Sequence, residues 1–132
     1  MDMQIRINHL LLIILSAILG SFEIATAHDW MAPKVFSFQK NPIPYSAESI
    51  SQGEELYLDN CAACHGDTGK GLSAKEVNLK KSPPNLLKRL ATHSDGDFFW
   101  KIGEGRGEMP SFKGDLEDKD VWDIINYLRS AK

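Results

Sequence analysis

Cys61-Ala62-Ala63-Cys64-His65 is the stretch on which the fold turns. Two thiols at this spacing fall on one helical turn, where they can add to the two vinyl groups of haem while the next imidazole reaches the iron. A disulfide, half of a zinc site and a thioredoxin-like redox pair compete for the same residues. Structural zinc takes four Cys or His ligands, yet beyond residue 27 the only other histidines are His28 and His93, and neither is spaced as a partner pair. A redox pair belongs in a strand-helix-strand setting, which the flanking sequence lacks. The chain has only these two cysteines, which suits a group that consumes both thiols. The reading is one haem c, covalent through Cys61 and Cys64, with His65 as an iron ligand.

Working toward the N-terminus, Ile50, Gly53, Leu56, Tyr57 and Cys61 recur at three- and four-residue intervals and share one face of a helix that delivers the chain to the motif. Residues 28–48 contain Pro33, Pro42 and Pro44 without sustained periodicity, and are expected as an irregular arm pinned by Trp30, Val35 and Phe36. Residues 1–27 read as a cleaved export signal. Arg6 supplies the positive region, residues 10–19 are apolar except for Ser16, and Ala25-Thr26-Ala27 is a small-residue cleavage site. The apolar run is too short for a bilayer span and is followed by Glu23. The expected organisation is therefore a signal over 1–27, an arm over 28–48 and a single domain over 49–132.

Toward the C-terminus, glycines 66, 69 and 71 and Pro83 and Pro84 punctuate a loop, with a helical turn expected over residues 72–77 and a short helix from Leu86. Ser94 or Asp95 caps a further helix that buries Phe98, Phe99 and Ile102 and ends at Gly103. In the last helix Val121, Ile124, Ile125 and Leu128 fall at i, i+3, i+4 and i+7. Glu117, Asp118 and Asp120 near its start, and Arg129 and Lys132 near its end, complement the helix dipole. No run alternates long enough for a sheet, so the fold class is all-α.

A chain of 132 residues holds one domain. Removing Arg6, Asp2 and Glu23 with the leader reduces 15 basic and 18 acidic residues to 14 and 16, a formal charge of −2. That balance argues against nucleic acid, which calls for a concentrated basic surface. The charges are uneven: residues 66–90 carry six basic and two acidic side chains, and residues 115–123 five acidic and one basic. Lysines 70, 75, 80, 81 and 88 are placed to surround the haem edge and steer an acidic redox partner.

The second iron ligand is read from chemistry. A thioether suits haem iron, and glycines 103, 105 and 107 with Pro110 describe a shaped loop around Met109. Met31 lies in the arm without such a loop, and His93 is the other candidate.

The order of these features resembles the class I c-type cytochromes from about Ser49 to Arg129. Gly53 and Tyr57 precede the cysteine motif, Pro84-Asn85-Leu86 follows, Gly107-Glu108-Met109-Pro110 comes later, and Val121-Trp122 to Tyr127-Leu128 closes the chain. The resemblance implies a fold of several helices wrapped around one covalent haem, with Met109 as the axial partner of His65. It also implies Gly53 and Tyr57 packed on Trp122 or Tyr127, and a carbonyl of Pro84, or else Pro83, accepting from the ring of His65. The long arm and Arg106 in the ligand loop depart mildly from the pattern. The function expected is one-electron transfer by a periplasmic carrier, not an enzyme, between redox protein partners such as a dehydrogenase, oxidase or reductase, with no membrane insertion after cleavage. The alternatives are a haem subunit of such a complex docked through the arm, and a haem enzyme or gas sensor with an open iron position.

Overall fold

The computed structural model describes residues 30–131, and the helices belong to the compact unit that begins at Met31. The expected leader and His28 lie outside the described residues. Six helices follow among the described residues: α1 (Lys34–Ser37), α2 (Ala47–Asn60), α3 (Ala62–His65), α4 (Leu86–Leu90), α5 (Asp95–Glu104) and α6 (Asp118–Ser130). Two isolated bridges, Arg106 with Met109 and Lys113 with Leu116, are the only β-pairing among them, so the all-α expectation holds.

The crossing of α2 and α6 organises the core. Ser46 caps α2 by accepting from the Ser49 N–H at 3.2 Å, and Ser49, Gly53 and Tyr57 form its buried stripe. At Gly53 the backbones meet: a Cβ there would lie 2.0 Å from the Asp123 carbonyl oxygen. Tyr57, one turn on, is fully buried and packs against Tyr127 with ring centroids 5.3 Å apart. Of the two aromatic partners expected, Tyr127 is the one found; Trp122 stacks instead on Phe99 at 4.2 Å. The Glu117 N–H donates to Asp120 at 3.1 Å, which holds the first turn of α6.

Burial of α6 extends beyond the expected stripe, over Val121 to Asn126 without a break. The arm is the reason. Asn41 donates to the Trp122 carbonyl and to the Asn126 side chain, each at 3.0 Å, and Asn126 donates to Ser49 Oγ at 2.8 Å. Asp123 is 0% exposed, with one oxygen accepting from Ser49 Oγ and the other from Lys119. A buried carboxylate without such partners would cost several kcal/mol, on the order of 3–5.

Two local expectations need correction. The arm contains helix α1, and its anchor is not Val35, which is 76% exposed. Ala32 donates its N–H to buried Asp97 at 2.8 Å, Ser94 Oγ donates to the Ser37 carbonyl at 2.6 Å, and the Phe36 carbonyl sits where a Cβ on Gly96 would be. Residues 74–78 form turns, and the Val77 N–H donating to the Ser73 carbonyl at 3.3 Å supplies the helical turn expected over 72–77. Helix α5 starts at its expected Ser94 cap but runs through Gly103 and stops at Gly105, where φ is +66°. Asp95, the alternative cap, instead pairs with Arg129 at 2.7 Å. Asn85 caps α4 by accepting from the Lys88 N–H at 3.0 Å.

Candidate haem site

The motif is a corner. Helix α2 ends as the Cys61 N–H donates to the Tyr57 carbonyl at 2.8 Å, and α3 begins at once, with the Cys64 and His65 N–H groups both donating to the Cys61 carbonyl at 3.2 and 2.9 Å. Both cysteines are half-buried and their sulfurs are not joined. Burial, and then the neighbouring Cys64, push the Cys61 thiol up to about 11. That is the reverse of the lowered pKa of a redox-active cysteine. No group of three or more metal-type side chains gathers among the described residues, so the zinc reading has no fourth or even third ligand there.

His65 is held by its burial in neutral form, its pKa lowered, with the Pro84 backbone partly offsetting that effect as an acceptor would. Pro84 nevertheless closes no hydrogen bond of ordinary length and angle onto Nδ1, which is buried without a partner. An orphaned buried nitrogen on a neutral imidazole, next to two half-buried thiols on the same turn, fits a haem held at this corner.

The loop after the motif is drawn back toward it. Gly71 N–H donates to the His65 carbonyl at 2.8 Å, Leu72 N–H to Cys64 at 3.2 Å, and Leu86 N–H to Gly69 at 2.8 Å. Tyr57 Oη donates to the Gly66 carbonyl at 2.7 Å. Gly71 has φ +83°, and a Cβ there would lie 2.4 Å from the Pro83 carbonyl oxygen and 3.2 Å from the Pro84 carbonyl. Only glycine meets both conditions, and this close approach brings the two prolines to the loop that follows His65. The Pro83 carbonyl is thus turned onto Gly71, and of the two prolines it is the Pro84 backbone that opposes the lowering of the His65 pKa.

Met109 is half-buried and packs, like Cys61, on the hydrophobic core cluster. Its backbone is closed in a two-way pair with Arg106, at 2.9 and 3.1 Å, across Gly107 with φ +62°. His93 is placed elsewhere. Its ring meets Thr92 Oγ1 at 2.9 Å, the Arg89 carbonyl at 3.1 Å and Asp97 at 3.6 Å, which makes it part of the α4–α5 corner. Sequence reading missed the role of Gly71, although its place between Gly69 and the Pro83-Pro84 pair was a usable signal. It also missed Glu108, whose carboxylate accepts from the Lys80 N–H at 3.0 and 3.1 Å, because no local pattern announces that contact.

Comparison with known proteins agrees with this geometry. The family model described as cytochrome C oxidase, cbb3-type, subunit III matches residues 48–128, which span the cysteine corner, the Met109 loop and the α2–α6 crossing. Cytochrome c6 of Bumilleriopsis filiformis is 33% identical over 81 residues, covering 61% of this chain and 90% of that protein. Cytochrome c6 of Thermosynechococcus vestitus is 29% identical over 82 residues, or 62% and 70% of the two chains. The cbb3-type cytochrome c oxidase subunit FixP of Bradyrhizobium diazoefficiens is 31% identical over 83 residues, 61% of this chain but only 27% of FixP. The chain belongs to the class I c-type cytochromes, in the family of that cbb3-type subunit III model, and carries one haem c through Cys61 and Cys64.

Proposed function

We propose that His65 and Met109 are the two axial ligands of the haem iron, that Pro84 orients His65, and that the protein serves as an exported, diffusible electron carrier. Electron transfer by haem c follows from the family; the ligand set and the setting are the proposal. The bound haem supplies an iron that gains and loses one electron, and the chain's residues hold, orient and shield it. The observation that carries the reading is His65, a ring kept neutral by burial, whose Nδ1 lacks a partner beside the Pro84 backbone. A neutral imidazole that carries its proton on Nδ1 leaves the lone pair of Nε2 available to a metal. Met109 is supported by its closed turn and half-buried place on the core.

A carbon monoxide titration and a redox titration of wild type and Met109→Ala test the ligand set together. The wild type should bind carbon monoxide slowly or hardly at all. Met109→Ala should bind it stoichiometrically and have a lower reduction potential, since thioether ligation favours the ferrous state. Rapid stoichiometric binding by the wild type would contradict the proposal and favour a haem enzyme or gas sensor.

Lysines 70, 75, 80, 81 and 88 are all exposed, which supports steering of an acidic redox partner. Export rests on the leader pattern of residues 1–27; no helix among the described residues is long and apolar enough to cross a membrane. A second reading, a haem subunit of an oxidase or dehydrogenase complex, draws on the FixP match and on the arm, where Met31, Val35 and Phe38 are exposed. Affinity capture from native extracts separates the two: a stable stoichiometric redox partner favours the subunit.

A further inference from the structure

We infer that Glu108 is a positioning residue that ties the methionine loop to the proline wall of the site and thereby holds Met109 at the iron, an inference that rests on the reading of Met109 as a ligand. Glu108 immediately precedes Met109, and Lys80 lies four residues before Pro84. Both carboxylate oxygens of Glu108 accept from the Lys80 backbone N–H, at 3.1 and 3.0 Å, across 28 residues of chain.

Several other hydrogen bonds of the loop run in a different direction. Ser111 Oγ donates to the Gly103 carbonyl at 2.6 Å, Phe112 N–H to Ile102 at 3.2 Å and Lys113 N–H to Gly103 at 3.2 Å. Those contacts fix the loop to its own helix, α5, and the Arg106–Met109 pair fixes it internally. Neither group sets the distance between Met109 and the wall that carries Pro83 and Pro84. Glu108 does, because it reaches that wall directly from the residue beside Met109.

A carboxylate acceptor makes a stronger bond than a neutral one. Both partners are exposed, so water competes and the bond adds little to global stability. Its effect is on local opening of the loop, which needs far less free energy than unfolding. Carbon monoxide reads that opening because it enters only when Met109 leaves.

The test uses the full holoprotein and compares the carbon monoxide association rate, the reduction potential and the melting temperature of wild type, Glu108→Ala, Glu108→Gln and Lys80→Ala. Glu108→Ala should bind carbon monoxide about fivefold faster, with a lower potential and a melting temperature near that of wild type. Glu108→Gln keeps an acceptor oxygen and should restore most of the slow binding. Lys80→Ala keeps the backbone N–H and should resemble wild type. A slow wild type with an unchanged Glu108→Ala overturns the inference alone. A Lys80→Ala variant as fast as Glu108→Ala also overturns it, since the effect would then belong to surface charge. A wild type that already binds rapidly removes Met109 as ligand, and the inference with it.

Discussion

At the α2–α6 crossing backbone meets backbone: Gly53 leaves no room for a Cβ against Asp123, and Tyr57, Ile124 and Ile125 beside it are fully buried. The walls of the haem site, residues 66–85 and 105–113, are assembled differently. They depend on glycines in the left-handed region at 66, 69, 71, 105 and 107, and on hydrogen bonds such as Glu108 to Lys80, whose atoms are exposed. The crossing is tight because its contacts are short, buried and numerous. The walls are positioned by fewer and more exposed contacts, so they can adjust around a bound group while the crossing stays fixed. Substitutions in the two regions should therefore separate stability from ligand access.

The largest effect is expected at Gly53. Gly53→Leu forces two helix backbones apart and should cost about 3 kcal/mol, the upper end for overpacking. Gly53→Ala should also lower the melting temperature, although in an open helix the same change stabilises by about 1 kcal/mol. Thermal melting decides, and a raised melting temperature for Gly53→Ala would show that the crossing has room for a Cβ there.

Gly71→Ala is expected to cost about 2 kcal/mol, since a non-glycine residue in the left-handed region costs roughly 1–3 kcal/mol and its Cβ would meet the Pro83 carbonyl. Unlike the Gly53 variants it should also hasten carbon monoxide binding, by loosening the wall behind His65. Loss of stability with no change in carbon monoxide binding would make Gly71 part of the scaffold rather than of the wall.

The smallest effect is expected at Tyr57, where the two regions join. Burial first, then the nearby Tyr127 and Asp67, raise its pKa above the usual phenol value. A folded-state pKa raised above the unfolded one stabilises fully below the unfolded pKa of about 10 and is lost as pH climbs above it. Tyr57→Phe should lose about 1 kcal/mol at neutral pH, through the missing bond to Gly66. Its stability should then fall less steeply than that of wild type above about pH 10. Parallel alkaline slopes for the two proteins in denaturant titrations would show that Tyr57 does not carry the linkage.

The scaffold was largely legible because its signals are local and repeated. The i, i+3, i+4 spacing of Val121, Ile124, Ile125 and Leu128, the Ser94 cap and the single cysteine motif each need only neighbouring residues to be recognised. What escaped depends on distant partners. Gly103 and Gly105 look alike in sequence, yet Gly103 stays helical with open space around it, while Gly105 needs φ +66° and abuts Pro110. Asp123 reads as a surface acid on a helix, but Ser49 and Lys119 satisfy it in the core. Val35 and Phe36 are adjacent apolar residues of the arm, yet Val35 is exposed while Phe36 is half-buried, with its carbonyl against Gly96. At the site, the residue types announced the haem, whereas Gly71 and Glu108 owe their roles to which loops come together.

A haem bound through both cysteines of one helical corner is tested most directly by haem staining of the denatured protein on a gel, combined with thiol labelling. Two thioether bonds should keep the stain with the polypeptide after acidified organic extraction and leave Cys61 and Cys64 unreactive. Haem that runs free of the chain, with both cysteines open to a thiol reagent, would contradict it.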